Sequence, residues 1–373
     1  MKGKFMKSVH LIAGARPNFM KVAPLWHALS NESWCRPVLV HTGQHYDAMM
    51  SDVFFTDLGL PSPDYHLGVG SGSHAQQTAA VMVAYEELCQ QTKPDNVIVV
   101  GDVNSTIACA IAAKKLLLPV SHLEAGLRSF DRTMPEEINR LLTDAIADLL
   151  WTPSPDADEN LLREGIPPER IERVGNIMID SFVMMRGRIE ETQMAQTLGL
   201  RPGEYGVVTL HRPINVDTAS ALESALSAIA EVSHRIPLVF PMHPRTRARI
   251  DEFGLNNRLQ QAAAVKVCKP LGYVEFMSLL ADSALAITDS GGIQEETCYL
   301  GIPCLTVRES TERPITITSG SNRLTQMAEL PQLVDRTLSH RNGTGDKGGR
   351  TIPEFWDGKT AGRVVASLKR AIV

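Results

Sequence analysis

Residues 96–126, NVIVVGDVNSTIACAIAAKKLLLPVSHLEAG, decide the fold. Asn96–Val100 is apolar along its whole length, as a strand covered on both faces must be. Asn104–Leu117 is a helical stretch of small and aliphatic residues, and Val120–Leu123 is a second short apolar run. Strand, helix and strand in that order indicate a parallel sheet with helices packed on its faces.

The same alternation runs outward in both directions. Strands are expected at Val9–Ala13, Val38–His41, Leu149–Thr152 and Ile171–Val174. A second series follows at Gly206–Leu210, Leu238–Pro241, Val265–Val267, Ala284–Thr288 and Cys304–Val307. Amphipathic stretches such as Pro17–Leu29, Ser73–Gln91 and Thr218–His234 lie between them. The chain is therefore read as α/β, with two Rossmann-like domains facing each other across a cleft. The first is expected over 1–176 and the second over 177–356, with a last helix within 357–373 packing back on the first. The breaker-rich stretch Asn342–Thr351 reads as a mobile loop.

Composition narrows the function. A chain of 373 residues exceeds what one core usually supports, in line with two domains. Net charge is −5, with 42 acidic against 37 basic residues, which argues against a nucleic-acid partner. No apolar run approaches the ~20 residues that cross a bilayer, and the N-terminal residues read as a first strand rather than a signal peptide. The cysteines Cys35, Cys89, Cys109, Cys268, Cys298 and Cys304 form no C-x-x-C pair. They are expected to be reduced, buried and inert, as in a cytoplasmic protein. His41 and His45 belong to a strand-end loop rather than to a metal-binding helix face.

In doubly wound sheets the ligand lies beyond the carboxyl ends of the strands, so strand-end residues come first. The first strand runs into Gly14-Ala15-Arg16-Pro17-Asn18-Phe19-Met20-Lys21, where Arg16 and Lys21 flank a helix N-terminus suited to an anion. Asp102 follows the strand Asn96–Val100, Glu124 follows Val120–Leu123, and Glu136 opens a helix behind Pro135. Each has a structural alternative: Asp102 as a helix cap, Glu124 as partner of Arg128, Glu136 as a first-turn dipole residue. Their grouping at adjacent strand ends favours chemistry. Glu136 and Arg140 are four apart, so one helix face presents both. In the second half, His211 ends a strand, and Thr288-Asp289-Ser290-Gly291-Gly292-Ile293-Gln294-Glu295-Glu296 reads as strand, small-residue turn and helix start. The backbone of Ser290, Gly291 and Gly292 suits a diphosphate, and Glu296 one turn further suits ribose hydroxyls. Arg313 adds a cation. Tyr273 and Phe276 open a helix and are candidates to stack on a base, with core packing the alternative for Phe276.

Seven ordered motifs carry a resemblance: GARPNFMK (14–21), VGDVNST (100–106), HLEAGLRS (122–129), MPEEINR (134–140), LHR (210–212), TDSGGIQEE (288–296) and TERP (311–314). Across nearly its whole length the chain resembles the non-hydrolysing UDP-N-acetylglucosamine 2-epimerases. The resemblance implies a GT-B glycosyltransferase-like fold, a homodimer, and catalysis without metal or nicotinamide cofactor. It implies interconversion of UDP-GlcNAc and UDP-ManNAc through enzyme-bound UDP and 2-acetamidoglucal, for surface polysaccharide precursors. It carries over Asp102, Glu124 and Glu136 as catalytic carboxylates and His211 as a residue near the diphosphate. Lys21, Arg140 and Glu296 match positions that hold substrate or UDP. The chemistry agrees with these residue types. A carboxylate with a pKa near ~4 is too weak to take the C2 proton from the ground state. Expelling UDP first gives the sugar oxocarbenium character, which acidifies that proton. Arg16, His211, Arg313 and the turn at Ser290–Gly292 suit the leaving diphosphate, and the three carboxylates suit proton transfer at C2.

The chain departs from the family pattern at particular places. Asn18 stands where Glu is common, and His211-Arg212 is followed by Pro213-Ile214 rather than Arg-Glu. His41-Thr-Gly-Gln44-His45-Tyr46-Asp47 differs from the Ala-Gln-His-Arg type of epimerases activated by their own substrate. The stretches HTGQHYDAMMSDVFF and GLRSFDRTMPEEINR look like a sister branch acting on UDP-2,3-diacetamido-glucuronate. TERP and Ser321-Asn322-Arg323-Leu324 look like the N-acetylglucosamine branch, which the reading favours. A UDP-sugar glycosyltransferase is the alternative from another class.

Overall fold

The computed structural model describes residues 6–43, 55, 57–262, 264–344 and 351–373. The contact pattern divides the chain into two units, Met1–Met184 with Glu354–Val373, and Met185–Pro353. The division falls inside the helix Ile177–Thr192, whereas the sequence reading placed it just before that helix, at 176.

In the first unit the aliphatic runs become parallel strands: β1 (Lys7–Ala13), β2 (Cys35–His41), β3 (Tyr65–His66), β4 (Asn96–Val100), β5 (Val120–Leu123), β6 (Leu149–Thr152) and β7 (Ile171–Arg173). Their order across the sheet is β3-β2-β1-β4-β5-β6-β7. The second unit holds β8 (Gly206–Thr209), β9 (Leu238–Pro241), β10 (Val265–Cys268), β11 (Leu285–Thr288), β12 (Cys304–Val307) and β13 (Asn322–Thr325), in the order β10-β9-β8-β11-β12-β13. Each unit is thus a doubly wound, Rossmann-like sheet. Its direction of winding reverses between β1 and β4 in the first and between β8 and β11 in the second. At those switch points the loops leaving adjacent strands diverge to opposite faces and open a crevice.

Two edge strands were not expected. Tyr65 and His66 in β3 are both exposed, and β13 is polar at Asn322 and Thr325. Neither carries the apolar run that marks a strand covered on both faces. The helix Leu330–Thr344 also continues through Asn342–Thr344, which were read as loop.

Helix starts follow local chemistry. Ser73 accepts from the Gln76 N–H at 3.3 Å while the Gln76 side chain accepts from the Ser73 N–H at 3.1 Å, a capping box for His74–Thr92. The second unit's core gathers Val208, Leu226, Ile229, Phe240, Ile287 and Leu305 between sheet and helices. The first unit's includes Val40, Val81, Tyr85, Val97, Val99 and Leu150. All six cysteines are free, and all but Cys268 are buried. Burial pushes the Cys35 thiol up to about 12 and those of Cys89 and Cys304 to about 11. Among the described residues no helix is long and apolar enough to cross a membrane.

The last segment returns to the first unit through specific polar contacts. The Asp180 carboxylate accepts the Thr360 and Ala361 N–H groups at 3.0 and 2.8 Å, capping the helix Thr360–Ile372 from another element. Trp356 donates to the Pro153 carbonyl at 2.9 Å, and Trp151 to Ser367 at 2.9 Å. Gly175, at φ +96°, lets the Phe355 carbonyl pass so closely that an added Cβ would meet its oxygen at 2.1 Å. Gly175→Ala is expected to destabilise the protein by roughly 2 kcal/mol or more, from the left-handed backbone and the clash together. The measurement is the denaturant midpoint; an unchanged midpoint would show that the return segment does not need this approach.

Candidate active site

At the first unit's switch point, Asn18 joins the two diverging loops. Its Oδ1 accepts the Gly14 and Ala15 N–H groups at 3.1 and 2.9 Å, and its Nδ2 donates to the Val100 carbonyl at 3.1 Å. An ionised carboxylate has no proton for that last bond, so the amide suits this buried position. One turn on, the Lys21 ammonium meets Glu124 Oε2 in a buried pair. Gly101, at φ +66°, lies directly beneath; a Cβ there would sit 3.0 Å from Lys21 Nζ. Lys21 therefore holds a carboxylate, where the sequence reading expected it to flank an anion site. Glu124 itself has φ +71°, a conformation rare outside glycine, and its Oε1 is buried with no hydrogen-bond partner. A strained carboxylate with one unanswered oxygen is an arrangement that a ligand's donor could complete. The alternative pairing of Glu124 with Arg128 is not what forms: Arg128 binds Asp144 at 2.8 Å and Glu164 at 2.7 Å.

Asp102 is 31% exposed and meets Arg140 Nη1 at 2.5 Å. It is not a helix cap, since Asn104–Lys115 starts from Val103 without a side-chain cap. Arg140 also donates to Glu137 from Nε at 3.0 Å and from Nη2 at 2.7 Å. Glu137 in turn accepts the Ser129 and Phe130 N–H groups, both at 3.0 Å. Burial alone would raise the Glu137 carboxyl, but these donors hold it below its ordinary value. Of the adjacent pair, Glu137 is thus the structural residue. Glu136 is half-buried in the first turn of the helix Pro135–Ile146. Its spacing from Arg140 puts it on the helix face that meets Asp102.

Behind these groups lies His122, wholly buried on β5. Its Nε2 is 2.8 Å from the Gly101 carbonyl and its Nδ1 2.6 Å from Asp144 Oδ1. Asp144 Oδ2 accepts the Gly126 N–H at 3.0 Å. Burial pushes the Asp144 carboxyl up; His122, Arg128 and that N–H outweigh it and hold the group low.

In the second unit, Asp289 at the end of β11 reaches across to the loop after β8. It accepts the His211 N–H at 3.0 Å, the Arg212 N–H at 2.9 Å and Asn215 Nδ2 at 3.0 Å. His211 Nδ1 lies 2.9 Å from Asp289 Oδ1 and so donates to it, which leaves Nε2 as the outward nitrogen. Burial would raise Asp289, but His211 and the other donors hold it low. The His243 ring lies 5.2 Å from that of His211, and burial followed by His211 lowers its pKa.

The helix Gly291–Leu300 begins from Ser290 with no side-chain cap; the Ser290 N–H donates to Thr288 Oγ1 at 2.9 Å, and the N–H groups that open the helix at Gly291 and Gly292 lack an intrahelical acceptor. A Cβ on Gly292 would meet nothing within 4 Å, so the turn is open on that side. Glu296 is buried, and its pKa is raised to about 8 by burial and by the charge of Glu295. The Tyr273 hydroxyl is buried with no hydrogen-bond partner, and Tyr273 and Phe276 are both half-buried on the helix Tyr273–Ala281. Arg313 binds Glu295 at 2.8 Å and Glu312 at 2.6 Å, and Glu312 also binds Arg308 at 2.9 Å. The cation expected to face a diphosphate is thus held by two carboxylates. The side chain of Arg16, and Gln44, His45, Tyr46 and Asp47 altogether, lie outside the described residues.

Sequence reasoning assigned no role to Asp144, Glu137, Asp289, Glu295 or Glu312. Asp289 and Glu295 were visible inside the TDSGGIQEE motif, and Glu137 and Glu312 inside theirs; Asp144 had no motif around it.

The UDP-N-acetylglucosamine 2-epimerase family model matches residues 27–369. A UDP-N-acetylglucosamine 2-epimerase of Methanocaldococcus jannaschii is 39% identical, covering 94% of this chain and 99% of that protein. A UDP-2,3-diacetamido-2,3-dideoxy-D-glucuronate 2-epimerase of Pseudomonas aeruginosa is 42% identical, over 84% of this chain and 86% of that one. The crystal structure of the M. jannaschii UDP-GlcNAc 2-epimerase in complex with UDP-GlcNAc and UDP superposes with a TM-score of 0.88, at 38% identity, over 97% of this chain and 99% of that one. With strand order, motifs and family match in agreement, the chain belongs to the UDP-N-acetylglucosamine 2-epimerase family.

Proposed function

We propose that this protein interconverts UDP-N-acetylglucosamine and UDP-N-acetylmannosamine by eliminating UDP to bound 2-acetamidoglucal and adding it back. The observation that carries the reading is the pair of carboxylates on adjacent strand ends: Glu124 with its unanswered Oε1, and Asp102 held by Arg140. In the forward direction the C1–O bond breaks with its electron pair leaving on UDP. A carboxylate takes the C2 proton, and the C1–C2 double bond forms. Return of a proton to the opposite face of C2, with re-addition of UDP at C1, completes the inversion. Asp102, Glu124 and Glu136 divide the proton transfers among them. In the second unit, Glu296 accepts from ribose hydroxyls, the N–H groups of Gly291 and Gly292 take the diphosphate beside Ser290, whose own N–H is held by Thr288 Oγ1, and His211 offers Nε2 to it.

The reading extends to a homodimer, supported by the exposed apolar side chains Val83, Phe130, Ile138 and Leu142 on the first unit. It places the enzyme in the cytoplasm, consistent with its free cysteines. The similarity to the P. aeruginosa protein keeps UDP-2,3-diacetamido-glucuronate as the second substrate to test. Incubation with each sugar nucleotide alone in heavy water, followed by proton NMR, separates the cases. The expected result is UDP-ManNAc with deuterium at C2 from UDP-GlcNAc. A glycosyltransferase would give no epimer without an acceptor.

The neutral isosteres Asp102→Asn, Glu124→Gln and Glu136→Gln should each lower kcat by ~10²–10⁴ while UDP affinity stays near wild type. A variant that expels UDP but cannot reprotonate C2 should release 2-acetamidoglucal. Wild-type turnover in any one of them excludes that residue from the chemistry.

Glu296 supplies a pH test. In the free enzyme its carboxyl titrates at about 8, so it is mostly protonated at pH 7. Ribose hydroxyls donate best to the ionised form, so UDP binding should expel a proton, and affinity should rise with pH up to about 8 and then level. Calorimetry in buffers of different ionisation enthalpy reads the proton directly. Glu296→Gln should abolish the release and weaken binding; a wild-type affinity that ignores pH would remove Glu296 from the ribose site.

Saturation by UDP-GlcNAc should be hyperbolic, because the segment around Gln44 lacks the activator-type pattern. A sigmoid curve, with UDP-ManNAc inert until UDP-GlcNAc is added, is the opposing outcome.

A further inference from the structure

We infer that His122 is a positioning residue that sets the spacing of Asp102, Glu124 and Glu136 without touching the sugar; the inference rests on the epimerase reading above. Three observations carry it. His122 is fully buried and has an oxygen acceptor at each ring nitrogen: the Gly101 carbonyl at 2.8 Å and Asp144 at 2.6 Å. Gly101 is the residue immediately before Asp102, so the first bond grips the backbone that carries that carboxylate. Asp144 then accepts the Gly126 N–H at 3.0 Å, two residues beyond Glu124, and sits in the last turn of Pro135–Ile146, whose first turn carries Glu136. One imidazole with its carboxylate therefore ties together the loop after β4, the loop after β5 and the third carboxylate's helix.

The tie brackets a strained residue. Gly101 and Gly126, at φ 66° and 80°, adopt the left-handed backbone without cost, but Glu124, at φ 71°, does not. Such a conformation persists where the surroundings over-determine it. The charged groups facing the pair are Arg128, which binds Asp144 at 2.8 Å and is itself held by Glu164, and the Lys21–Glu124 pair on the far side of Gly101. Since each ring nitrogen faces its own oxygen partner, the side chain is replaceable only in halves. Asn places one N–H near the Nδ1 position, toward Asp144. Gln places one near the Nε2 position, toward Gly101.

The test uses the full-length enzyme with UDP-GlcNAc, and its variants are His122→Ala, His122→Asn and His122→Gln. His122→Ala should lower kcat about 10²-fold, the scale of a small misplacement of reacting groups, with KM and UDP affinity close to wild type. His122→Gln, which restores the bond to Gly101, should recover part of the lost kcat, while His122→Asn should recover less. All three should release more 2-acetamidoglucal per turnover than wild type, because proton return is misaligned. Should His122→Ala fail to fold, the Asn and Gln variants decide by the same readouts. Wild-type kcat in His122→Asn, or a loss that falls on KM and UDP affinity instead, overturns the inference. Failure of the wild-type enzyme to epimerise UDP-GlcNAc would count against the proposed function and not against the tie.

Discussion

A carboxylate with no access to water must have its charge answered by the protein, and Asp144 is such a group. The desolvation penalty for a buried ion is several kcal/mol, repaid only with good geometry and a full set of partners. Asp144 has that set: His122, Arg128 and the Gly126 N–H. Arg128 is answered in turn by two oxygens of Glu164. Signs therefore alternate along a chain from the surface to the sheet. Such an arrangement contributes little net stability compared with apolar packing, but it tolerates one geometry only. Every element that carries one of the three proposed catalytic carboxylates in the first unit is attached to it, through the Gly101 carbonyl, the Gly126 N–H and the helix Pro135–Ile146.

The second unit meets a related demand at its own switch point. Where β8 and β11 part, the N–H groups of His211 and Arg212 have left the ladder and need acceptors. Asp289 supplies them and adds Asn215 and the His211 ring. The difference lies in exposure. His122 is sealed, so its clamp is purely structural, whereas the His211 side chain is 32% exposed. The same device, a buried carboxylate gripping the backbone after a neighbouring strand, yields a sealed scaffold in one unit and an oriented, partly exposed imidazole in the other.

The interior strands and the strand-end carboxylates were legible because burial on both faces forces continuous apolar runs and because the topology brings their ends together. Asp102, Glu124 and Glu136 stood out for that reason, as did Glu296 one turn into a helix. The edge strands β3 and β13 were not legible, since an edge needs no apolar face. Nor were pairing choices. Glu124 had Arg128 four residues away, but the local αL turn at Glu124 and the arrival of Lys21 from another element decide for Lys21. Asp144 lies in a helix whose pattern offers nothing unusual, and only its three-dimensional partners reveal it. Sequence spacing reports local geometry well; it is silent on which of several cations a carboxylate selects across the sheet.

The selection matters most around the diphosphate site. Arg313 looks in sequence like a free cation for phosphate, yet Glu295 and Glu312 both hold it, and Arg308 shares Glu312. These carboxylates cancel much of the field that the arginine would otherwise project. On the proposed function, the work of meeting a leaving diphosphate then falls to the backbone N–H groups of Gly291 and Gly292 and to His211, dipoles and a ring already oriented before the bond breaks. Preorganised donors of that kind need no rearrangement as charge develops on the leaving oxygen. Glu295 also raises the neighbouring Glu296. The residue that anchors Arg313 thus also raises the carboxyl of the group proposed to read the ribose.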